Sequence, residues 1–409
     1  MVDLKKINNL LELFYHKYLD RVDKKNTFLT SLSKRNNNFS WQNTYDIINN
    51  LTYKLKKYVN KGDRCLIISE NRPEWFISDL SIMLSLSITV PAYSTYAEKD
   101  YQFIIDDCRP SIIFISGKLQ YDKIKNIVKQ KSFIKKVFSF EKIENEDQIE
   151  YINFNNFFTN ISEINYFKNI EINRKDIACI IYTSGTQGSP KGVMLSHGGI
   201  LNNCEGAIEI LKPLIKKRRL RFLTWLPLSH SYEHSVQFVQ ITVGAQVFYA
   251  ESIDKLIKNM NQCKPNIMTA VPRFYQSLYQ KINVSFNKTK GLRKMLIDRM
   301  LFLGKKKIER SKLNFFDRFQ DRILEILVRK KIRNQFGGAL RAFVSGGGAL
   351  DKEVGYFLNA IGLPTLQGYG LTETSPVVSC NPINDIRIDT VGPPFVGNKV
   401  KIAEDGEIL

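Results

Sequence analysis

Short apolar runs alternate with longer amphipathic segments along most of this chain, and that alternation predicts an α/β fold. In the first part, Asp63 to Ser69, Ile88 to Ala92, Ser111 to Ser116 and Lys136 to Phe140 are predicted strands, with helices starting at Arg72, Glu98 and Tyr121 between them. The stretch from Glu141 to Asn173 is polar, rich in Asn and Glu and weakly periodic, which predicts a boundary. Beyond it, Asp176 to Ile181 reads as a buried strand and Met194 to Leu211 as a helix. Leu220 to Leu228, Ala245 to Ala250, Asn266 to Val271 and Leu340 to Val344 read as further strands. Strands separated by helices favour largely parallel sheets covered on both faces, so two α/β lobes are expected, over 1–150 and 174–390.

Between the strand at Asp176 and the helix at Met194 stands Tyr182-Thr-Ser-Gly-Thr-Gln-Gly-Ser-Pro-Lys-Gly-Val193, dense in hydroxyls and glycines and carrying one lysine. A strand, a glycine loop and a helix make an anion site, with bare backbone N–H groups and the positive helix end facing the ligand and Thr183, Ser184 and Thr186 as further donors. The P-loop pattern fails here: Pro190 holds the place of its second glycine, and Lys191 is followed by Gly192 rather than a hydroxyl. Taken alone the string also fits a surface loop.

Three more segments carry candidate chemistry. Phe343-Val-Ser-Gly-Gly-Gly-Ala-Leu350 reads as a strand running into a triple-glycine turn, which lets backbone approach a flat ring, although any tight turn uses the same residues. Gln367-Gly-Tyr-Gly-Leu-Thr-Glu-Thr374 sets Tyr369 to stack on a base, Thr372 to touch a phosphate and Glu373 to hold magnesium; a polar loop after a strand is the alternative. Trp225-Leu-Pro-Leu-Ser-His-Ser-Tyr-Glu-His234 places His230 at the exit of a strand, where a lone histidine is more often structural than catalytic.

Taken in order, these strings resemble the AMP-forming acyl-CoA synthetases and adenylate-forming enzymes, in particular the long-chain fatty-acid branch. Ser69-Glu-Asn-Arg-Pro-Glu-Trp75, Ala270-Val-Pro-Arg-Phe274 and Thr374-Ser-Pro376 resemble the same branch and favour fatty acids over amino acids. The resemblance implies two stacked, largely parallel βα lobes. It implies that Thr183, Ser184, Gly185, Thr186, Gly188 and Lys191 hold the ATP phosphates. Ser345 with Gly346, Gly347, Gly348 and Tyr369 would bracket the adenine, Thr372 and Glu373 would serve phosphate and magnesium, and His230 would lie beside the acyl carboxylate.

The implied reaction joins a carboxylate to the α-phosphorus of ATP, releasing pyrophosphate, and the thiol of coenzyme A then displaces AMP. Val391 to Ile402 and Asp405 to Leu409 resemble the family's turn into a small β-region, so 391–409 is expected to be its start. The family's Tyr-x-Thr-Gly-Asp segment, hinge and mobile C-terminal domain have no counterpart in the chain, and impaired turnover is expected in consequence. A non-catalytic nucleotide or acyl binder and an amino-acid adenylating enzyme remain as alternatives.

Composition narrows the setting. No run approaches the about 20 apolar residues of a membrane span, and no apolar block with a cleavage site follows the N-terminus, so a cytoplasmic protein is expected. The six cysteines are scattered without metal-type spacing and are expected to be reduced and structural. The net charge of +20 is concentrated: Lys288 to Phe336 carries 16 Lys/Arg against 5 Asp/Glu, and Lys212 to Phe222 adds six bases without an acid. Phe316, Phe319, Ile323 and Leu327 recur at helical spacing there, predicting a basic helix with one apolar face over Phe315 to Arg333. No nucleic-acid reader motif accompanies these bases. An anionic membrane surface suits them better, and the other reading is an apolar stripe turned to the core with a solvated basic face.

Overall fold

Ile112–Ile115 is apolar at every position and fully buried, as an interior parallel strand must be. The structure, a computed structural model, describes residues 3–33, 37–144, 146, 149–157, 164–183, 190–215 and 219–409. Its strands in chain order are β1 (Thr27–Ser31), β2 (Asn38–Ser40), β3 (Arg64–Ile68), β4 (Ile88–Ala92), β5 (Ile112–Ile115), β6 (Lys136–Ser139), β7 (Ile149–Tyr151) and β8 (Ile177–Thr183). There follow β9 (Lys191–Ser196), β10 (Arg221–Thr224), β11 (Gln246–Tyr249), β12 (Ile267–Ala270), β13 (Ala342–Ser345), β14 (Thr365–Gly370) and β15 (Val377–Cys380). Two units result, Met1–Cys204 with Leu226–Tyr249, and Glu205–Trp225 with Ala250–Leu409.

The first unit is built on a sheet ordered β7-β6-β5-β3-β4-β8-β9, parallel throughout except for the β8–β9 pair. Helices Glu98–Cys108 and Lys118–Gln130 turn Tyr101, Ile104, Ile105, Tyr121, Ile124 and Ile127 onto Leu66, Ile68, Ile113 and Ile115 of this sheet. The expected strands over 63–69, 88–92, 111–116 and 136–140 are present, with no end more than one residue shorter. Around 141–173 the chain forms β7 and short 3₁₀ turns, and it packs Phe154, Phe157 and Phe167 into the same unit. The β1–β2 hairpin and the helices Leu10–Leu19 and Trp41–Leu55 add to the unit. Ser40 and Asn43 close a capping box at the start of the second of these helices, a signal visible in the sequence.

Helix Pro73–Leu84 is buried along its whole length, so its polar members need partners inside the protein. Asp79 finds His234, whose Nε2 lies 2.8 Å from the Asp79 Oδ2 in a site closed to solvent. Burial by itself would depress the imidazole most, but the Asp79 carboxylate and Cys179 outweigh it and hold the His234 pKa up at about 10. Trp75 sets its ring edge against the imidazole at 5.4 Å.

The second unit carries β15-β14-β13-β12-β10 in that order, parallel except for the β14–β15 pair. Ala342, Leu366, Cys380 and Phe395 form a core on this sheet, with helices Pro272–Asn287, Gly291–Ile308 and Lys352–Ala360 in the same unit. Antiparallel edge pairs in both units make the sheets mixed, because a short return loop permits only an antiparallel partner.

Two expectations are corrected. The helix expected from Met194 begins at His197, because Lys191–Ser196 continues as a strand. Val193 and Leu195 favour extended pairing with β8 over the weak helical preference of the same stretch. The strand expected over 220–228 ends at Thr224, since Pro227 cannot donate to a ladder. Of the two readings of the apolar stripe around Phe315, the structure has the exposed one, with the stripe facing solvent.

The raised pKa of His234 favours the imidazolium in the folded state. Its contribution to stability is therefore complete below the ordinary imidazole value of about 6.5 and is lost as pH climbs toward about 10. His197 is opposite in sign: burial lowers it to about 4, so its contribution is already constant above neutrality. Thermal melts between pH 7 and pH 10 should therefore show a steeper loss for the wild type than for His234→Gln; parallel slopes would remove the ion pair as the cause.

Candidate functional site

Thr183 closes β8 and Lys191 opens β9, and the two residues face each other across the hairpin. Ser184, Gly185, Thr186 and Gly188 lie outside the described residues. Where a helix was expected to follow this segment, the structure has the strand β9. The helix end that would have supplied a positive dipole comes only at His197, after the whole of β9, so it does not directly follow the glycine-rich segment. The base of the hairpin is firm. Buried Tyr182 hydrogen-bonds through its hydroxyl to the Asp107 carboxylate, and Phe103 meets its ring edge-on at 6.3 Å. Opposite it, a Cβ at Gly192 would stand 2.9 Å from Ile180 Cγ2 and 3.3 Å from Tyr182 Cζ, so only glycine lets the two strands close there.

His230 follows a loop rather than a strand end. The loop is fixed by Asn71, which donates to the Leu226 carbonyl at 2.6 Å and accepts from the Leu228 N–H at 2.9 Å. The 69–75 segment singled out in the sequence thereby acquires a physical task, holding the loop that leads to His230. The histidine caps helix Ser231–Thr242, its Nδ1 accepting from the Tyr232 N–H at 3.2 Å. That bond leaves the proton on Nε2. Although the side chain reaches solvent, the protein packed around it lowers the imidazole pKa by desolvation, and the positive end of the helix acts in the same sense. His230 is a neutral donor pointing its one N–H away from its own helix cap.

In the second unit, two neighbouring parallel strands carry the other candidates past their carboxyl ends, with Ser345 of β13 level with Gln367 of β14. Ligands bind at this end of open parallel sheets. After Ser345 the chain turns through Gly346, whose N–H donates to the Ala270 carbonyl at 3.2 Å, and Gly347, whose φ of +81° is left-handed backbone. At Gly348 the nearest atom to a Cβ would be Pro272 Cγ, 3.6 Å away, so this face of the turn is open. The buried Ser345 hydroxyl has no hydrogen-bond partner among the described residues. Half-buried Tyr369 lies in β14 opposite Ser379, and Gly370 touches the returning chain so closely that a Cβ would fall 1.9 Å from the Pro376 oxygen.

Past Gly370, Thr372 and Glu373 form a single 3₁₀ turn. Thr374 ties it down: its hydroxyl accepts from the Leu371 N–H at 2.9 Å and donates to the Pro376 carbonyl at 2.5 Å. The Glu373 carboxylate is exposed and makes no hydrogen bond or ion pair among the described residues. No group of three or more His, Cys, Asp or Glu is gathered for a metal among them. That donor set does not suit a metal held by protein alone, and it does suit magnesium, which takes one or two carboxylates and fills its shell with phosphate and water oxygens.

Sequence reasoning named the glycines and missed what braces them. Gln367 is buried; its Oε1 accepts from the Leu350 N–H at 2.7 Å and its Nε2 donates to the Thr390 carbonyl at 3.2 Å. Asn381 donates to that same carbonyl at 2.7 Å and accepts from the Arg387 N–H at 2.9 Å. These amides hold the glycine turn and the 381–390 loop to β14. The available signal was an amide at an otherwise apolar strand position, which a buried strand tolerates only when every polar atom is bonded.

The two-unit α/β domain has the fold of the N-terminal domains of adenylate-forming enzymes. ATP-bound MatB from Rhodopseudomonas palustris superposes with a TM-score of 0.71 at 19% identity, covering 98% of this chain and 68% of that one. A long-chain-fatty-acid–CoA ligase, FadD1 from Archaeoglobus fulgidus, gives 0.69 at 18% identity, covering 98% and 72%. The chain belongs to the AMP-binding enzyme family, whose model matches residues 20–409. Among its relatives, the long-chain-fatty-acid–CoA ligase FadD15 of Mycobacterium bovis is 28% identical over 86% of this chain and 58% of its own length. Long chain acyl-CoA synthetase 4 of Arabidopsis thaliana is 30% identical over 89% and 56%. The chain thus spans rather more than half the length of these relatives.

Space, rather than backbone angle, separates two of the glycines. Gly370→Ala should cost about 1–3 kcal/mol through overpacking, read as a lower urea midpoint, whereas Gly348→Ala should melt with the wild type. Equal losses would mean that the Pro376 contact does not govern the turn.

Proposed function

We propose that this chain is the ATP- and acid-handling part of an AMP-forming acid–thiol ligase acting on long-chain fatty acids. The observation that carries the reading is the pair of glycine-dependent turns at the carboxyl ends of β13 and β14, which present an open backbone face, an aromatic ring, a hydroxyl and an unpaired carboxylate in one unit. The names of the relatives supply the substrate class.

In the proposed first half-reaction an oxygen of the fatty-acid carboxylate bonds to the α-phosphorus of ATP and the bond to the bridging oxygen breaks, giving acyl-adenylate and pyrophosphate. In the second, the coenzyme A thiol attacks the acyl carbon, AMP leaves with the bond pair, and the thiol proton passes to solvent. No protein nucleophile is needed; the chain's work is to hold two anions in line and to meet the charge that develops. Tyr369 and the turn Gly346–Gly348 would bracket the base, Thr372 would donate to phosphate, and Thr183 with Lys191 and the intervening loop would hold the remaining phosphate oxygens. His230, neutral and with its proton on Nε2, would donate that N–H to the acid's carboxylate. Magnesium, when bound at Glu373, would supply charge neutralisation on the phosphates.

No helix among the described residues is long and apolar enough to cross a membrane. Peripheral attachment to an anionic membrane, on the cytoplasmic side, belongs to this proposal and would place the site beside its substrate.

Hydroxylamine trapping of the adenylate tests the reading. Hydroxamate should form from ATP with a long-chain fatty acid. Its formation from amino acids instead would reassign the chain to amino-acid adenylation, and ATP binding with no hydroxamate from any acid would leave a non-catalytic binder. Tyr369→Ala should weaken ATP binding by about 1–3 kcal/mol, the worth of one base–aromatic stack, measured by titration calorimetry. Glu373→Gln should slow hydroxamate formation by about 100-fold or more.

A further inference from the structure

Helix Phe315–Leu324 turns its acids inward and its phenylalanines outward. Asp317 and Asp321 are 5% and 8% exposed, while Phe315, Phe316 and Phe319 are 80%, 73% and 57% exposed. At about 100° per residue, positions 315, 316, 319 and 323 fall on one face. The helix runs on through a wider π turn, Glu325–Arg329, and into Lys330–Asn334, where Ile326 and Leu327 are again exposed.

Ion pairs fix this rotation. Asp317 takes the guanidinium of Arg299 at 2.5 Å and Lys306 at 3.6 Å, both from helix Gly291–Ile308. Asp321 takes Lys307 at 2.8 Å and the buried Arg329 at 2.7 Å, and Arg329 also donates to the Ala360 carbonyl at 2.7 Å. Half a turn of rotation would bury the phenylalanines, take the buried Asp317 and Asp321 from their partners and strand the buried Arg329, so the apolar face is held outward by the charges behind it. A contiguous apolar face kept in water marks a surface made for something else.

The charges around the face select the occupant. Arg318 and Arg322 on the same helix, and Lys330 and Lys331 beyond it, are exposed and make no ion pair among the described residues. Lys288, Lys290, Arg293 and Lys312 add to them, alongside the exposed Leu292 and Met295. A second copy docking here would set one cationic surface against another. Acyl chains bordered by anionic headgroups complement both the phenylalanines and the bases.

We propose that the face formed by Phe315, Phe316, Phe319 and Ile326, rimmed by Arg318, Arg322, Lys330 and Lys331, docks this chain on an anionic lipid bilayer. It gives a location to the membrane attachment proposed above and rests on that reading only for its purpose, since vesicle binding is measured without ATP.

The test is co-sedimentation of the full chain with vesicles of phosphatidylcholine alone and of phosphatidylcholine mixed equally with phosphatidylglycerol, at low and high salt. Binding should require the anionic lipid and weaken with salt. Both Phe315→Ser/Phe316→Ser/Phe319→Ser and Arg318→Glu/Arg322→Glu should bind roughly tenfold or more weakly with unchanged circular dichroism. Undiminished binding by the serine variant, equal binding to neutral vesicles, or a solution dimer dissolved by the same variant would each overturn the proposal, the last in favour of a second copy. Hydroxamate formation from a detergent-dispersed long-chain fatty acid should survive the serine variant. Its absence in the wild type would count against the proposed activity and leave the vesicle result standing.

Discussion

The Pro376 carbonyl occupies the space that a Cβ at residue 370 would need, and the candidate nucleotide face of the second unit depends on that contact. Because β14 and the chain returning into β15 touch backbone to backbone, the residues between them have room for a single short turn. That turn lifts Thr372 and Glu373 clear of the strand end. On the neighbouring strand, a left-handed Gly347 turns the chain away at the same level, so the two carboxyl ends stay open. Gln367 and Asn381 then lock the arrangement through amide bonds to backbone on both sides. The functional side chains are few, and their placement is a property of backbone contacts that no larger residue permits.

Much of this was legible in the sequence because it was written in glycine. Gly-Gly-Gly after an apolar run, and Gly-Tyr-Gly before Thr-Glu, mark strand ends where backbone must come close to something, and the structure puts close contacts or open faces at those places. The strands β3 to β6 were legible for another reason: buried parallel strands have no polar face, so their apolar runs are unbroken. Less legible were choices made by partners distant in sequence. Val193-Met-Leu195 suits a strand or a helix, and what decides is the presence of β8 across a loop. The run from Leu220 reads as extended through Leu228, but the segment after Thr224 is a loop pinned by Asn71, 155 residues earlier. Amide side chains that bond backbone leave almost no periodic trace, which is why Gln367, Asn381 and Asn71 went unassigned while the glycine turn and the histidine loop they support were found.

Buried charge plays two parts in the two units. In the first, Asp79 and His234 pair through one contact inside the protein, and the partnership makes a histidine cationic where burial alone would discharge it. In the second, Asp317 and Asp321 meet arginine and lysine on the adjoining helices, and the consequence is directional: the pairs decide which side of a helix faces the protein.

That directional role bears on how amphipathic patterns are interpreted. Periodicity establishes that apolar residues share a face, and the usual inference that this face points inward assumes that the opposite face has nothing better to do inside. Around Phe315 the assumption fails, because the opposite face carries two carboxylates whose partners already stand on helix Gly291–Ile308 and at Arg329. Breaking those pairs to bury the phenylalanines would leave Arg329 without its carboxylate in the interior, at about 3–5 kcal/mol for that buried pair. That opposes the about 1.5–3 kcal/mol gained for each apolar side chain covered, and the half-exposed pairs to Arg299, Lys306 and Lys307 add smaller amounts in the same direction. The orientation of an amphipathic helix is a contest between its two faces, and a cluster of acids matched by bases on a neighbouring helix is the sequence signature to seek when the apolar face is the one left outside.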